Sequence, residues 1–467
     1  MLAEDTPAYP WLDRFASVLY GCAALLGAAL VAALALTGPL AWAVGFVYIA
    51  YDTWLLGYMV WRARQAVAER APGSAFADRA LPSVAVLIAA RNERDALPLA
   101  LDALLGGTDR PEQLVVIDDG SSDDSAAVLA ARYGLCAATA SAPVASATIP
   151  GLSLLTRPGG GKARALNAAL PHVHADVVVT LDADTIVEPG ALAAVRRAFA
   201  ARPALVAACG VLRPVCAGGP WRRLFELYQR FEYLRSFLWR VVWAHDHTLV
   251  LVSGAFACFR REALVGAGGF DPTSKVEDYE LLFRLHRRAL ESGGAPPEVR
   301  VLDEARATTD APARPGVFLR QRTRWFAGFL ETMFRNRDMV GSARHGRLGS
   351  FHLLVKTVDT LLPLYALSAL VALALLLWRG GGIPVPILVA LAAKFLYDLG
   401  CHVYGLFLHE RWQGRRVTRG VFARAALATL TEPYGFQLLR QLGALSGWLA
   451  FLRGGAAWTP QRPVHRP

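Results

Sequence analysis

Apolar positions gather in blocks at both ends of the chain. Residues 15–51 contain no Asp, Glu, Lys or Arg and are interrupted by Thr37-Gly38-Pro39, a pattern that predicts a helical hairpin crossing a membrane twice and closing near Trp61. The second span argues against a cleavable signal peptide. Two more spans are predicted at about residues 351–378 and 383–408, joined by a glycine-rich turn. The final apolar stretch, residues 425–451, holds Glu432, Pro433 and Arg440, which leaves a kinked span and an interfacial helix as alternatives.

Between these blocks, short apolar runs alternate with helical periodicity. Strands are predicted at 83–89, 113–117, 152–155, 175–181, 205–212 and 250–254. Helices are predicted at 95–105, from the caps Ser122 and Asp123 to Tyr133, at 190–201 and at 279–288. This alternation predicts an α/β domain with a parallel sheet. Residues 137–151 are small and weakly patterned and read as a loop. Residues 221–243 and 319–334 mix aromatics with arginines, a composition suited to helices lying on a membrane surface.

Composition fits this partition: 467 residues with 54% hydrophobic content accommodate one soluble domain plus several spans. The net charge of +11, from 49 basic and 38 acidic residues, sits largely beside apolar segments, which points to a bilayer and away from nucleic acid. Arg62, Arg64, Arg70 and Arg79 follow the hairpin and residues 410–424 are strongly basic; the positive-inside bias places both stretches, and hence the middle domain, in the cytoplasm. The six cysteines are irregularly spaced, with Cys22 and Cys401 inside apolar spans, so reduced thiols and no structural metal are expected. The resulting domain expectation is a transmembrane hairpin at 1–61, a linker at 62–81, an α/β domain at 82–312, interfacial helices at 313–350, two spans at 351–408 and a basic, membrane-associated tail at 409–467.

The chemistry centres on residues 175–184. An apolar, β-branched run ends in Asp182-Ala183-Asp184, which reads as a parallel strand delivering two carboxylates to its carboxyl end, where open α/β sheets bind ligands. Two hard oxygen donors suit Mg²⁺ or Mn²⁺ and, through it, a diphosphate; an acidic helix start is the plain alternative. Gly159-Gly160-Gly161-Lys162 offers backbone amides and a point charge to an anion, without the Walker pattern. Glu277 and Asp278 open a helix, where acids often serve only as dipole partners. In the fourth span Lys394, Asp398 and His402 recur every four residues. With Asp52 and Asp359 they make either a polar conduit or interhelical pairs.

Asp118-Asp119-Gly120-Ser121, the Gly-Lys-Ala-x-Ala-Leu-Asn segment ending at Asn167, Asp182-Ala183-Asp184, Ser253-Gly254-Ala255, Glu277-Asp278 and Gln321-x-x-Arg324-Trp325 occur in one order between membrane segments. The chain thereby resembles the processive family-2 membrane glycosyltransferases, the class of cellulose, hyaluronan and poly-N-acetylglucosamine synthases, from about Pro82 to Trp325 plus the flanking spans. The resemblance implies a GT-A fold with a Rossmann-like, mostly parallel sheet, a UDP-sugar donor and inversion by single displacement. It implies that Asp119, with Asp118, Arg91, Glu93 and Lys162, binds the donor. Asp182 and Asp184 would hold the metal and diphosphate, Asp278 would act as the general base beside Glu277, and Ser253, Gly254, Gln321, Arg324 and Trp325 would clamp donor and acceptor. A carboxylate base typically contributes about 10²–10⁴-fold, an arginine fork matches a diphosphate and an indole face supports a sugar ring.

Val276 stands where the family commonly has Thr, whereas the Gly-Lys-Ala-x-Ala-Leu-Asn form and Gly328 look most like the poly-N-acetylglucosamine branch. The reading that follows is an inner-membrane, multi-pass synthase with a cytoplasmic catalytic domain. It elongates a β-linked polysaccharide, with N-acetylglucosamine the first choice of sugar, and passes it through its own spans, with accessory export subunits among its candidate partners. No length is expected for an appended regulatory domain, so control by a small activator would need another subunit. The alternatives are a nonprocessive enzyme with a lipid acceptor, which needs no hydrophilic conduit, and an inactive membrane scaffold, against which the joint presence of Asp182, Asp184, Asp278 and Trp325 argues.

Overall fold

The computed structural model describes residues 14–69, 80–136, 142–380 and 382–454; Arg70 and Arg79 lie outside the described residues. In chain order, α1 (Arg14–Ala35) and α2 (Ala43–Ala68) precede β1 (Val84–Ala90), α3 (Leu97–Gly106), β2 (Gln113–Asp119), α4 (Ser125–Tyr133), β3 (Val144–Ala145) and β4 (Leu152–Arg157). Then come α5 (Lys162–Ala169), β5 (Val177–Asp182), β6 (Ile186–Val187), α6 (Ala191–Ala201), β7 (Leu205–Cys216), α7 (Arg222–His245), β8 (Phe256–Arg260), α8 (Arg261–Gly266), α9 (Glu277–Glu291) and β9 (Glu298–Ala311). Helices α10 (Pro315–Arg335), α11 (Leu353–Trp378), α12 (Val385–Trp412), α13 (Arg419–Thr431) and α14 (Phe436–Leu452) complete the described chain. It divides into an α/β unit, whose main segment ends at Val317, and a helical unit that α10 enters at Phe318.

The α/β unit is built on one mixed sheet of order β3-β4-β2-β1-β5-β8-β7-β9-β6. Strands β4, β2, β1 and β5 run parallel, and the side chains of Val84–Ile88 and Val177–Leu181 are buried. Continuous apolar runs are what a strand covered on both faces requires. Because the chain builds outward from β1 through β2 to β4 and then returns to the far side of β1 with β5, the strand order reverses there. That switch point opens a crevice at the carboxyl edge.

Strand β8 is antiparallel to both β5 and β7, so the loop entering it arrives at the edge where β5 ends. The strand expected at 250–254 is corrected accordingly: those residues are the entering loop, and the ladder starts at Phe256. Two neighbouring apolar runs competed for the same strand. In the second, Phe256, Ala257, Cys258 and Phe259 are all fully buried. Of residues 137–151, expected as loop, 137–141 lie outside the described residues, and Val144–Ala145 form the short edge strand β3, antiparallel to β4.

Helix α7 also departs from expectation. Its Phe225, Tyr228, Phe237, Leu238, Val241 and Val242 are buried against β7 and β9, so the helix covers the sheet rather than only a membrane surface. Arg222, Arg223 and Arg230 are exposed, whereas Arg240 is half-buried, its guanidinium 4.8 Å from the Phe237 ring. At the far edge of the sheet, Arg196 of α6 is buried and donates to Asp109 at 3.0 Å, to both Glu112 oxygens at 3.0 Å and to the Pro82 and Arg110 carbonyls. Glu112 in turn accepts from the Val84 amide at 2.7 Å. This network fixes the starts of β1 and β2.

Among the described residues, four helices are long and apolar enough to cross a membrane: 14–35, 38–68, 348–378 and 385–412. Helix α2 continues past Trp61 to Ala68 because the intervening sequence, Arg-Ala-Arg-Gln-Ala-Val-Ala, holds no glycine or proline to stop it. Helices α1 and α2, and the turn at 38–42 between them, pack on α11 through small residues, Ala29, Ala33, Ala41, Ala369 and Ala372 among them, which let backbones approach. Trp42 donates to the Ala369 carbonyl at 2.8 Å, Tyr365 to the Cys22 carbonyl at 2.6 Å and Tyr51 to Asp359 at 2.9 Å. Lys394 lies between Asp52, at 2.6 Å, and Asp398, an ion triad across α2 and α12, whereas Asp359 pairs with Lys356 at 3.1 Å on α11.

The last apolar stretch is two helices, α13 and α14, broken at Glu432-Pro433-Tyr434. Helix α14 packs on α10. A Cβ added at Gly443 would lie 2.6 Å from the Arg322 side chain, and one at Gly447 would lie 2.8 Å from that of Phe326. Trp448 donates to the Thr360 carbonyl at 2.8 Å, near Pro363, which interrupts the hydrogen-bond ladder of α11.

Candidate active site

Strand β5 delivers its two carboxylates to the switch-point edge. The Asp182 amide donates to the Ala255 carbonyl at 3.4 Å, and the Thr185 amide to the Asp182 carbonyl at 3.0 Å, closing a tight turn. Asp184 is oriented from the other end of the sheet, because β6 pairs antiparallel with β9. That pairing sets Thr309 Oγ1 3.1 Å from Asp184 Oδ1, with Thr185 Oγ1 3.4 Å from the same oxygen.

Helix α9 brings Asp278 to the same edge. Its Oδ2 accepts from the Gly254 amide at 2.7 Å and its Oδ1 from the Tyr279 amide at 2.9 Å, so both oxygens are anchored and each retains a free lone-pair direction. A Cβ at Gly254 would stand 3.0 Å from Asp278 Oδ2 and 3.3 Å from Lys162 Nζ. The absence of a side chain permits this approach.

Lys162, at the start of α5, joins the two carboxylate groups. Its ammonium pairs with Asp182, donates to the Gly254 carbonyl at 3.0 Å and lies 3.5 Å from Glu277. Burial pulls its pKa down, but Asp182 and Glu277 outweigh that and raise it, keeping the lysine charged. The amine expected to face a phosphate is thus committed to the carboxylates. At the other end of α5, Asn167 accepts from the Phe270 amide at 2.8 Å and donates to the Phe270 carbonyl at 2.6 Å. The Gly-Lys-Ala-x-Ala-Leu-Asn segment therefore ties α5 at both ends, to the carboxylates and to the turn before α9.

The glycine run lies over the end of β2. The Gly161 amide donates to Asp119 Oδ2 at 2.7 Å. Gly120, at φ +75°, passes so close to Gly159 that a Cβ would sit 2.6 Å from its nitrogen. Asp119 is buried and its Oδ1 has no hydrogen-bond partner among the described residues, an acceptor left for a ligand donor. Asp118 instead caps its own turn, accepting from the Ser121 amide at 2.9 Å. Arg91, beside Gly159, is exposed.

The charge balance is strongly acidic. Burial, then Asp182 and Asp310, pushes Asp184 up to about 7; burial, then Asp184, Asp182 and Asp310, pushes Glu93 up to about 8. Burial, then Glu277, raises Asp278 to about 6, against the opposing pull of Lys162 and its two amide donors. Such a cluster has the chemistry to receive a cation and a polyanion together. Among the described residues no three His, Cys, Asp or Glu side chains form a metal cage. Two carboxylates that leave the remaining positions to water and substrate phosphate fit Mg²⁺ or Mn²⁺.

Gln321, Arg324 and Trp325 lie on α10 within the helical unit. Gln321 is buried and its Oε1 lacks a partner among the described residues. The Trp325 ring is covered by the Arg322 guanidinium at 4.5 Å, which also lies 4.6 Å from Phe318. Ser253 occupies the loop before β8, its carbonyl accepting from the Phe256 amide at 2.9 Å. Sequence reasoning missed Asn92, Thr185, Thr309 and Asp310. Asn92 follows a strand end, where an asparagine signals a left-handed turn, whereas Thr309 carries no local signal.

A family model described as "Glycosyltransferase like family 2" matches residues 82–328. The poly-beta-1,6-N-acetyl-D-glucosamine synthase of Staphylococcus aureus (strain MSSA476) is 25% identical over 289 residues, 61% of this chain. The match spans 63% of that synthase's length, less than two thirds. The undecaprenyl-phosphate 4-deoxy-4-formamido-L-arabinose transferase of Sodalis glossinidius is 34% identical over 110 residues, 22% of this chain and 29% of that protein. Among solved structures, the mannosyltransferase PcManGT from Pyrobaculum calidifontis, in complex with GDP-Man and Mn²⁺, superposes with a TM-score of 0.59. It has 20% identity and covers 88% of this chain and 98% of its own. Its likeness bears on the fold, a GT-A-like mixed α/β domain accompanied by long apolar helices. By the match to more than half of its length, the chain belongs to glycosyltransferase-like family 2 and is related to the poly-β-1,6-N-acetyl-D-glucosamine synthases.

Proposed function

We propose that the protein is an inverting, processive membrane glycosyltransferase that transfers a sugar, N-acetylglucosamine by preference, from a UDP-sugar to a growing β-linked polysaccharide and passes the product across the membrane. The observation that carries the chemistry is the junction of Asp182, Lys162, Gly254 and Asp278. It sets a base-forming carboxylate beside a pair of acids suited to a metal diphosphate.

In this reading the acceptor hydroxyl attacks the anomeric carbon and its proton passes to Asp278. The bond from that carbon to the diphosphate breaks, and the electron pair leaves with UDP. A positioned carboxylate contributes about 10²–10⁴-fold to such a step. Asp182 and Asp184 would hold Mg²⁺ or Mn²⁺, which supplies neutralisation of the charge gathering on the diphosphate. Lys162 keeps Asp182 and the start of α9 together, and the amides at Gly254 and Tyr279 fix the Asp278 carboxylate. Asp119 offers its unpaired oxygen to the nucleotide, with Arg91 and Glu93 alongside. Gln321, Arg324 and Trp325 are assigned to donor and acceptor by the family resemblance.

Orientation follows from charge. Arg14, Arg62, Arg64, Arg335, Arg337, Arg344 and Arg347, and then Arg411, Arg415, Arg416 and Arg419, lie at the ends of the spans that share one side by hairpin topology. Arg379 is the arginine of the opposite turns, donating to the Ala33 and Leu34 carbonyls. The positive-inside rule assigns the arginine-rich side, with the α/β unit, to the cytoplasm of a multi-pass inner-membrane protein. The similarity to the undecaprenyl-phosphate transferase supports a second reading, a single transfer to a lipid acceptor.

UDP release by the purified full-length protein tests the chemistry. Asp278→Asn is expected to lower turnover at least 100-fold while UDP binding persists; wild-type turnover in that variant would rule out Asp278 as the base.

A further inference from the structure

Asn92 is one of two described non-glycine residues with positive φ, at +60°, a conformation for which asparagine is several-fold enriched and most side chains are penalised. It sits at the carboxyl end of β1, between Arg91 and Glu93. Its backbone amide donates to Ser121 Oγ at 3.0 Å. Its side-chain Oδ1 accepts from the Ser122 amide at 2.7 Å and from Ser122 Oγ at 3.3 Å. The loop after β1 is thereby stitched to the loop after β2, which is itself closed by Asp118 on the Ser121 amide and held to the glycine run by Asp119 on the Gly161 amide. Three loops from three elements form one surface, and Asn92 makes the joint between the first and second.

We infer that Asn92 is a positioning residue for the nucleoside end of the donor. It touches neither the acid pair nor the base. Its left-handed turn sends the chain from Arg91 to Glu93, and its hydrogen bonds hold that turn against the loop carrying Asp119. Removing the Oδ1 acceptor leaves the Ser122 amide without that partner and releases the turn, so the groups offered to the nucleoside lose register while Asp278, held by Gly254 and Tyr279, keeps its place. The inference rests on the UDP-sugar reading above and names which residue preorganises its binding surface.

The test is UDP titration of the purified full-length protein by calorimetry, beside steady-state UDP release with UDP-N-acetylglucosamine. Asn92→Ala is expected to weaken UDP binding about 10- to 30-fold and to raise donor KM to match, with kcat within twofold of wild type. Asn92→Asp keeps an oxygen acceptor and tolerates the left-handed turn, so it is expected to stay within threefold of wild type. Asn92→Gly keeps the turn without the acceptor, so it is expected to lose affinity even where the alanine variant fails to fold. A glycine variant that binds UDP as wild type does, or an aspartate variant as weak as the glycine one, would overturn the inference. A wild-type protein that binds no UDP would overturn the donor reading and this inference with it, whereas wild-type binding with an indifferent glycine variant overturns the inference alone.

Discussion

Gly254→Ala is the smallest change that tests the geometry of Asp278, the proposed base. Gly254 lies outside the left-handed region, so alanine costs little in backbone strain and its effect is local. The new methyl group would stand 3.0 Å from Asp278 Oδ2, 3.3 Å from its Cγ and 3.3 Å from Lys162 Nζ, against about 3.5–4.0 Å for an unstrained contact. The carboxylate must therefore retreat by roughly half an ångström, stretching the 2.7 Å bond from the Gly254 amide. A 1 Å misplacement in an active site costs on the order of 10²-fold, so half that distance should cost about tenfold in kcat, or about 1.4 kcal/mol. The assay is UDP release by full-length protein in proteoliposomes at saturating donor, with UDP affinity measured in parallel. The prediction is a kcat near one tenth of wild type with UDP affinity unchanged. Wild-type kcat in a folded Gly254→Ala protein would refute the claim that this amide and the Asp278 carboxylate form a working pair.

Three further outcomes follow from the same structure. Burial and Glu277 raise Asp278 to about 6, and a base works only when deprotonated, so kcat should fall about tenfold per pH unit below pH 6 and level off above it. A limb centred near the ordinary aspartate value of about 4 would contradict that environment. Arg196→Met leaves Asp109 and the half-exposed Glu112 without their cation, which should destabilise the α/β unit by about 2–3 kcal/mol, seen as a lower thermal midpoint with unchanged activity per folded molecule. Lys394→Met strands Asp52 and Asp398 in the helical unit, so folded yield in detergent should drop sharply. Adding Asp52→Asn and Asp398→Asn should recover it, and a single variant with wild-type yield would show that the triad holds nothing together.

What the sequence disclosed and what it withheld have physical causes. The β5 run and its acids were legible because a strand buried on both faces is apolar without alternation and ends where charge begins. The start of α9 was legible because acids collect at helix N-termini. Residues 250–254 misled because an apolar run marks burial, not hydrogen-bond pairing, and the ladder belongs to the neighbouring run from Phe256. The arginines of α7 misled because Arg222, Arg223 and Arg230 stay exposed, leaving the helix free to bury its aromatic face on the sheet. Lys162 was expected to face a phosphate, whereas its partners come from β5 and α9, far away in sequence. Thr309 reaches Asp184 only through the pairing of β6 with β9, and no local pattern announces such a contact.

Processive synthesis from a nucleotide sugar, as proposed, leaves its label in polymer. The measurement that reaches it most directly is radiolabel incorporation by the purified protein in proteoliposomes, with UDP-N-acetylglucosamine, UDP-glucose and UDP-glucuronate offered separately in Mg²⁺ or Mn²⁺. High-molecular-weight product is expected from UDP-N-acetylglucosamine, and none from Asp278→Asn. Label recovered only in the organic phase would contradict processive synthesis and assign the protein to single-sugar transfer onto a lipid.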